Sequence, residues 1–93
     1  MIQRINVQFF ATFRDIFGTK AMEVTVKPGT NIGELLGLIF NTEERRKKIF
    51  DNGKVKPYVI ILKNGRHIQH LDGVETEVKE GDKVSIFPAI AGG

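Results

Sequence analysis

The chain reads as an α+β domain in which a mixed β-sheet is covered on one face by an amphipathic helix. Three observations predict it. Apolar and polar residues alternate near both ends of the chain, as half-buried strands require. A middle segment carries its apolar residues at helical spacing. The order strand, strand, helix, strands, strand, with an early hairpin, suits one helix crossing over a sheet of parallel and antiparallel strands.

In the first strand Ile5, Val7 and Phe9 form one apolar face, and Asn6, Gln8 and Phe10 fall on the other, which leaves Phe10 on the polar side. A break at Gly18-Thr19 separates this run from a second strand, where Met22, Val24 and Val26 alternate with Glu23, Thr25 and Lys27; two strands this close predict a hairpin. Pro28-Gly29 ends the second strand. Asn31, with Glu34 three residues on, reads as a capping box, and Ile32, Leu35, Leu36, Ile39 and Phe40 form the stripe that packs on the sheet. Gly33 and Gly37, one turn apart, weaken this helix by roughly 1 kcal/mol each relative to Ala, and a close approach to the sheet accounts for them.

Thr42 caps a second, short helix with Glu43 and Glu44 in its first turn and Arg45, Arg46, Lys47 and Lys48 after them, an order that complements the helix dipole. Asp51-Asn52-Gly53 ends it. After Pro57, the run Tyr58-Val59-Ile60-Ile61-Leu62 is apolar on both faces, so it belongs inside the sheet. Asn64-Gly65 is a tight-turn signal leading to a short return strand at Arg66-His67-Ile68, and Asp72-Gly73 and Gly81-Asp82 mark loops. The last strand points Val84 and Ile86 inward and Lys83, Ser85 and Phe87 outward, so Phe87 is the second aromatic on a polar face. Residues 1–88 therefore form one domain. Residues 89–93, Ala-Ile-Ala-Gly-Gly, contain no pairing signal and are expected to be an extended, mobile tail.

With 93 residues, 41% of them hydrophobic and 27% charged, the chain suits a single small globular domain. It has no cysteine, which excludes disulfides, Cys-ligated zinc and thiol chemistry from this chain. Its two histidines, His67 and His70, make an all-protein metal site an unfavoured reading, and no bound cofactor is expected. No apolar run approaches the ~18–20 residues of a membrane span, and no signal-peptide core follows Met1; a soluble, cytoplasmic, monomeric protein is expected. A net charge of +3 is small for a nucleic-acid binder. There is no Ser-His-Asp set, phosphate-binding glycine loop or metal-ligand spacing, so the chain is not expected to be an enzyme on its own.

The terminal Gly92-Gly93 is the most informative feature, because glycines leave no side-chain bulk beside a terminal carboxylate, and a partner enzyme can thread such a tail through a narrow channel. If the first and last strands pair, Phe10 and Phe87 adjoin on the face away from the helix, an aromatic docking patch. His67 alternates with the apolar Ile68 and is placed on the same surface or in a solvated turn. Arg14 and Asp15 suit a surface ion pair or a partner contact. The residues 45–48 suit a phosphate, an acidic partner or a solvated helix face.

These residues resemble the β-grasp, ubiquitin-like sulfur carriers of the MoaD/ThiS type, especially the small subunit of molybdopterin synthase. The resemblance rests on Val7-Gln8-Phe9-Phe10-Ala11 followed by Arg14-Asp15, the helix opening Gly29-Thr30-Asn31-Ile32-Gly33-Glu34-Leu35-Leu36, Asn64-Gly65, and Gly81-Asp82-Lys83-Val84-Ser85-Ile86-Phe87-Pro88 before Ala91-Gly92-Gly93. It implies a β-grasp fold and a terminal glycine carboxylate, at Gly93, that a ubiquitin-activating-like adenylyltransferase of the MoeB type adenylates with ATP and that then becomes a thiocarboxylate. It further implies that the tail inserts into a large subunit of the MoaE type, which passes the sulfur to a pterin precursor of the molybdenum or tungsten cofactor, with Phe10, Phe87 and Pro88 on the surface both partners use. Conjugation of Gly93 to lysines as a protein modifier, and sulfur supply for the thiazole of thiamin, are the alternatives. Ala89 departs from the family's frequent second proline, and the basic residues 45–48 lie outside its pattern.

Overall fold

The alternation at the start of the chain seats the sheet on its helices. In a computed structural model that describes residues 1–88, strand β1 (Gln3–Phe9) buries Ile5, Val7 and Phe9 and turns the residues between them the other way. The expected tail at residues 89–93 lies outside the described residues. Strand β2 (Ala21–Val26) pairs antiparallel with β1, from Gln3 opposite Val26 to Gln8 opposite Ala21, so the early hairpin is present.

Its connection holds more than the break expected at Gly18-Thr19: helix α1 (Thr12–Phe17), which ends at Gly18. Six residues are too few for a periodic signal, yet Phe13, Ile16 and Phe17 share one helical face. Phe13 is 1% exposed. Phe17 stacks on Phe9 with ring centroids 4.2 Å apart, and both Phe13 and Phe17 meet Phe40 edge-on at 5.6 and 5.1 Å.

Helix α2 (Ile32–Ile39) starts at the expected capping box: the Glu34 N–H donates to Asn31 Oδ1 at 2.8 Å, and the Asn31 N–H donates to Glu34 Oε1 at 3.0 Å. Ile32, Leu35, Leu36, Ile39 and Phe40 are all buried, as the stripe predicts. The glycines of this helix are a correction. A Cβ on Gly33 would meet Val74, in a 3-10 turn (Gly73–Glu75), at 3.4 Å, and one on Gly37 would meet nothing within 4 Å, so neither glycine marks a close approach to the sheet.

Helix α3 (Glu43–Ile49) is capped by Thr42, whose Oγ1 accepts the Arg45 N–H at 3.2 Å. The Asp51-Asn52-Gly53 sequence is more than a helix stop. It forms a tight turn joining strand β3 (Phe50–Asp51) to strand β4 (Lys54–Val55), a separate two-stranded sheet. Asn52 and Gly53 take positive φ of 53° and 77°, and Asn64 and Gly65 take 51° and 85°; both pairs are two-residue hairpin turns of the kind that needs positive φ at both positions. The second joins strand β5 (Ile60–Lys63) to strand β6 (Arg66–His67). The apolar run thus enters the sheet at Ile60 rather than Tyr58, and Ile68 opens a 3-10 turn (Ile68–His70) instead of ending the return strand.

Strand β7 (Lys83–Phe87) runs parallel to β1 and antiparallel to β5, giving the order β2-β1-β7-β5-β6. Val84 and Ile86 are buried as expected. Ser85 points outward, as the alternation predicts, yet it is only 7% exposed, because the strand is central and Gln8 and Leu62 flank the small side chain on either side.

Asn64 and Asp82 fasten the β5–β6 turn to the start of β7. Asn64 Nδ2 donates to Asp82 Oδ1 at 2.8 Å, and the Lys83 N–H donates to Asn64 Oδ1 at 2.9 Å. Asp82 Oδ2 accepts the Lys79 N–H at 2.8 Å and faces Lys63 Nζ at 3.6 Å. Burial works to raise the Asp82 carboxyl, and the bonds from Asn64, the Lys79 backbone and Lys63 outweigh it, holding the group below its ordinary value. A depressed carboxylate contributes stability that is full above the unfolded-chain value near ~3.9 and is lost as pH falls through the lower folded value. Asp82→Asn is expected to cost about 1 kcal/mol at pH 7, with the difference in Tm from the parent chain shrinking below about pH 4; a pH-independent difference would show that the charge of Asp82 contributes nothing.

Candidate functional site: the sheet face away from the helix

Directly opposed residues of paired strands point to the same side of a sheet, so the register defines the face turned away from α2. Phe87 stands opposite Ile60, and Ser85 stands between Gln8 and Leu62, with Leu62 opposite His67. Phe10 follows the inward Phe9 by one residue, its N–H donating to the Ile86 carbonyl at 3.3 Å. The Phe10 and Phe87 rings stack with centroids 4.2 Å apart and planes 12° from parallel. Strand alternation and the parallel β1–β7 pairing together create this contact, as the sequence implies.

The two rings are half-buried, because each covers one face of the other. The face extends beyond them through Ile60 and Leu62, also half-buried, which the sequence reading did not single out. The signal was present: a strand apolar on both sides supplies one set of side chains to the core and another to the opposite face. Val59 and Ile61 take the core side and are 6% and 1% exposed.

His67 lies on this face, at its β6 edge. Its Nδ1 accepts the Gln69 N–H at 3.1 Å, which assigns the proton of the neutral ring to Nε2, and its ring meets that of His70 edge-on at 6.0 Å. Pro88 follows Phe87 and is half-buried where the chain leaves β7. Arg14 is exposed on α1, and of its two readings, an ion pair with Asp15 or a partner contact, the ion pair is absent: the ion pairs among the described residues are Arg4–Glu80 and Lys63–Asp82. Adjacent helical residues point in different directions, which separates the two charges. Gly92 and Gly93 lie outside the described residues.

The face offers stacked aromatics, two aliphatic side chains, the polar Gln8 and Ser85, and one imidazole. Among the described residues no three His, Cys, Asp or Glu side chains gather where they can hold a metal ion, and no helix is long and apolar enough to cross a membrane. What the arrangement can do chemically is dock: a largely apolar surface with an aromatic pair at the point where the last strand ends suits recognition of a partner.

A sheet with its first and last strands parallel at the centre, hairpins on both sides and its crossover helix on one face defines a ubiquitin-like β-grasp protein. The chain belongs to the ThiS family, whose model matches residues 7–93. It is 40% identical over 90 residues to small archaeal modifier protein 3 of Haloferax volcanii, an alignment covering 96% of this chain and 98% of that one. It is 36% identical over 64 residues to a protein of Archaeoglobus fulgidus provisionally named a sulfur carrier, covering 67% and 73%. Among solved structures, small archaeal modifier protein 1 of Methanosarcina acetivorans superimposes with a TM-score of 0.84 at 28% identity, covering 100% of this chain and 99% of that one. A Pyrococcus furiosus protein provisionally named molybdopterin converting factor subunit 1 superimposes with a TM-score of 0.72 at 27% identity, covering 95% and 99%.

The stacked geometry predicts energetic coupling. Phe10→Ala and Phe87→Ala are each expected to destabilise the chain, with a double-mutant-cycle coupling of about 1 kcal/mol in urea unfolding. Additive losses would mean that the rings do not stack in solution.

Proposed function

We propose that this chain is a ubiquitin-like carrier activated at Gly93, and that it carries sulfur there as a thiocarboxylate. The observation behind the reading is the docking face: the Phe10–Phe87 stack stands where β7 ends, six residues before Gly93. A partner gripping this face has the end of the last strand within reach. Membership of the ThiS family and the similarity to the Archaeoglobus fulgidus protein support sulfur as the cargo.

A carboxylate is a poor electrophile until one oxygen becomes a leaving group. In the proposed sequence the Gly93 carboxylate attacks the α-phosphate of ATP on a MoeB-type activating enzyme and releases pyrophosphate. Sulfide then adds to the acyl carbon and displaces AMP, leaving a thiocarboxylate whose sulfur is a usable nucleophile. The sulfur sits on the backbone terminus, so a chain without cysteine can carry it.

The acceptor we favour is a pterin precursor of the molybdenum or tungsten cofactor, with this chain as the small subunit beside a MoaE-type large subunit; the similarity to the Pyrococcus furiosus protein supports it. The modifier reading has its own support in the 40% identity to a small archaeal modifier protein. There the same acyl adenylate ends in an isopeptide bond from Gly93 to a lysine. The two readings share the docking face and the activation step and differ in what attacks the acyl group.

Incubating the chain with ATP, sulfide and the activating enzyme of its source is expected to give an intact mass in which one oxygen is replaced by sulfur, and deletion of Gly92 and Gly93 is expected to abolish the change. An unchanged mass, with the enzyme shown active on another carrier, would overturn the sulfur reading. Gly-Gly remnants on lysines in the source cell would favour the modifier.

A further inference from the structure

The charge of this molecule is concentrated in one place. Residues 43–56 hold six of its fourteen lysines and arginines and three of its eleven acidic residues, so this segment carries the entire net charge of +3 and the rest of the chain is neutral. It comprises α3 and the β3–β4 hairpin. Among the described residues none of its cations forms an ion pair, since Arg4–Glu80 and Lys63–Asp82 both lie elsewhere.

Two of these cations are already oriented. The Arg45 guanidinium lies 4.6 Å from the centre of the Phe17 ring, and its Nη1 donates to Asn41 Oδ1 at 3.4 Å. The Arg46 guanidinium lies 4.8 Å from the centre of the Phe50 ring. Stacking on a ring restricts a long side chain before any partner arrives, which lowers the ordering cost of a later contact. Lys47 and Lys48 are exposed beside them. Between α1 and α3 runs an open groove of about 480 Å³ lined by Ile16, Thr42, Glu44, Arg45 and Lys48, with an apolar wall at Ile16.

We infer that α3 and the β3–β4 hairpin form a second interaction surface, fitted to an acidic protein surface whose carboxylates meet Arg46, Lys47 and Lys48. Three features favour a protein over a nucleic acid. Glu43 and Glu44 interrupt the positive field within the same helix, the groove has an apolar wall, and the neighbouring aromatics Phe17 and Phe50 lie under guanidinium groups, leaving those ring faces unavailable for stacking bases. The surface is on the opposite side of the sheet from the Phe10–Phe87 stack, because Arg45 covers Phe17, which packs on the inward-facing Phe9. A partner here and one on the aromatic face therefore bind the same molecule together. The inference does not depend on what Gly93 carries.

The test uses the full isotope-labelled chain, titrated by NMR with a poly-glutamate peptide of about twenty residues and, separately, with an oligo-dT of matched length. Amide shifts from the peptide are expected to concentrate on Glu43–Ile49 and residues 50–56. Lys47→Glu with Lys48→Glu is expected to weaken peptide binding about tenfold or more, while Lys20→Glu with Lys27→Glu, the same change of net charge at exposed sites elsewhere, changes it less than about threefold. Equal losses in the two variants, or no saturable binding, would overturn the proposal. Tighter binding of oligo-dT than of the peptide at the same residues would also overturn it, by making the partner a nucleic acid.

Discussion

The parallel pairing of β1 with β7 governs the rest of the structure. Hairpins form between neighbours in the chain, but two parallel strands from opposite ends need everything between them to cross over. Here that intervening chain supplies α2, α3 and the β5–β6 hairpin, and α2 packs against the core face of the sheet. The pairing register then fixes both sides at once. With Phe9 opposite Ile86 in the core, Phe10 and Phe87 must meet on the other face, and a one-residue slip would exchange the two sets of side chains.

This constraint divides the aromatic residues between two tasks. Phe9, Phe13, Phe17 and Phe40 close one end of the core through stacked and edge-on contacts, which fill volume and set how α1 lies against β1. Phe10 and Phe87 contribute less to the core because each is half-buried; their area remains available to a partner. Ala11 marks the junction. Its φ of 53° turns the chain out of β1 immediately after Phe10, a conformation that carries strain in a residue other than glycine, and it launches α1 toward the core while Phe10 stays on the outer face.

Features encoded by local contacts were the most legible in the sequence. The alternation of β1 and β2, the capping box at Asn31 and Glu34, the cap at Thr42 and the Asn64-Gly65 turn are each short patterns with one structural solution. Helix α1 was not legible, since its single turn and a half offers only Phe13, Ile16 and Phe17, whose importance comes from Phe9 and Phe40 in distant parts of the chain. The β3–β4 hairpin was masked because Asn52-Gly53 follows a helix and stops it as well as turning a strand. Ser85 obeyed the alternation, but its burial depends on strands on both sides, which no local pattern records. For the site, Phe10 and Phe87 could be paired from the sequence, whereas Ile60 and Leu62 needed the register of β5 against β7 to join them. The resemblance to the sulfur carriers anticipated the family.

The sheet face away from α2 is the docking surface proposed for this molecule. Methyl NMR of the chain titrated with its activating enzyme tests it most directly. The methyl signals of Ile60 and Leu62 are expected to shift or broaden first, while those of Leu38 and Val74, exposed large hydrophobics of α2 and the turn packed beside it, stay unchanged. Broadening confined to Leu38 and Val74, with Ile60 and Leu62 unaffected, would contradict it.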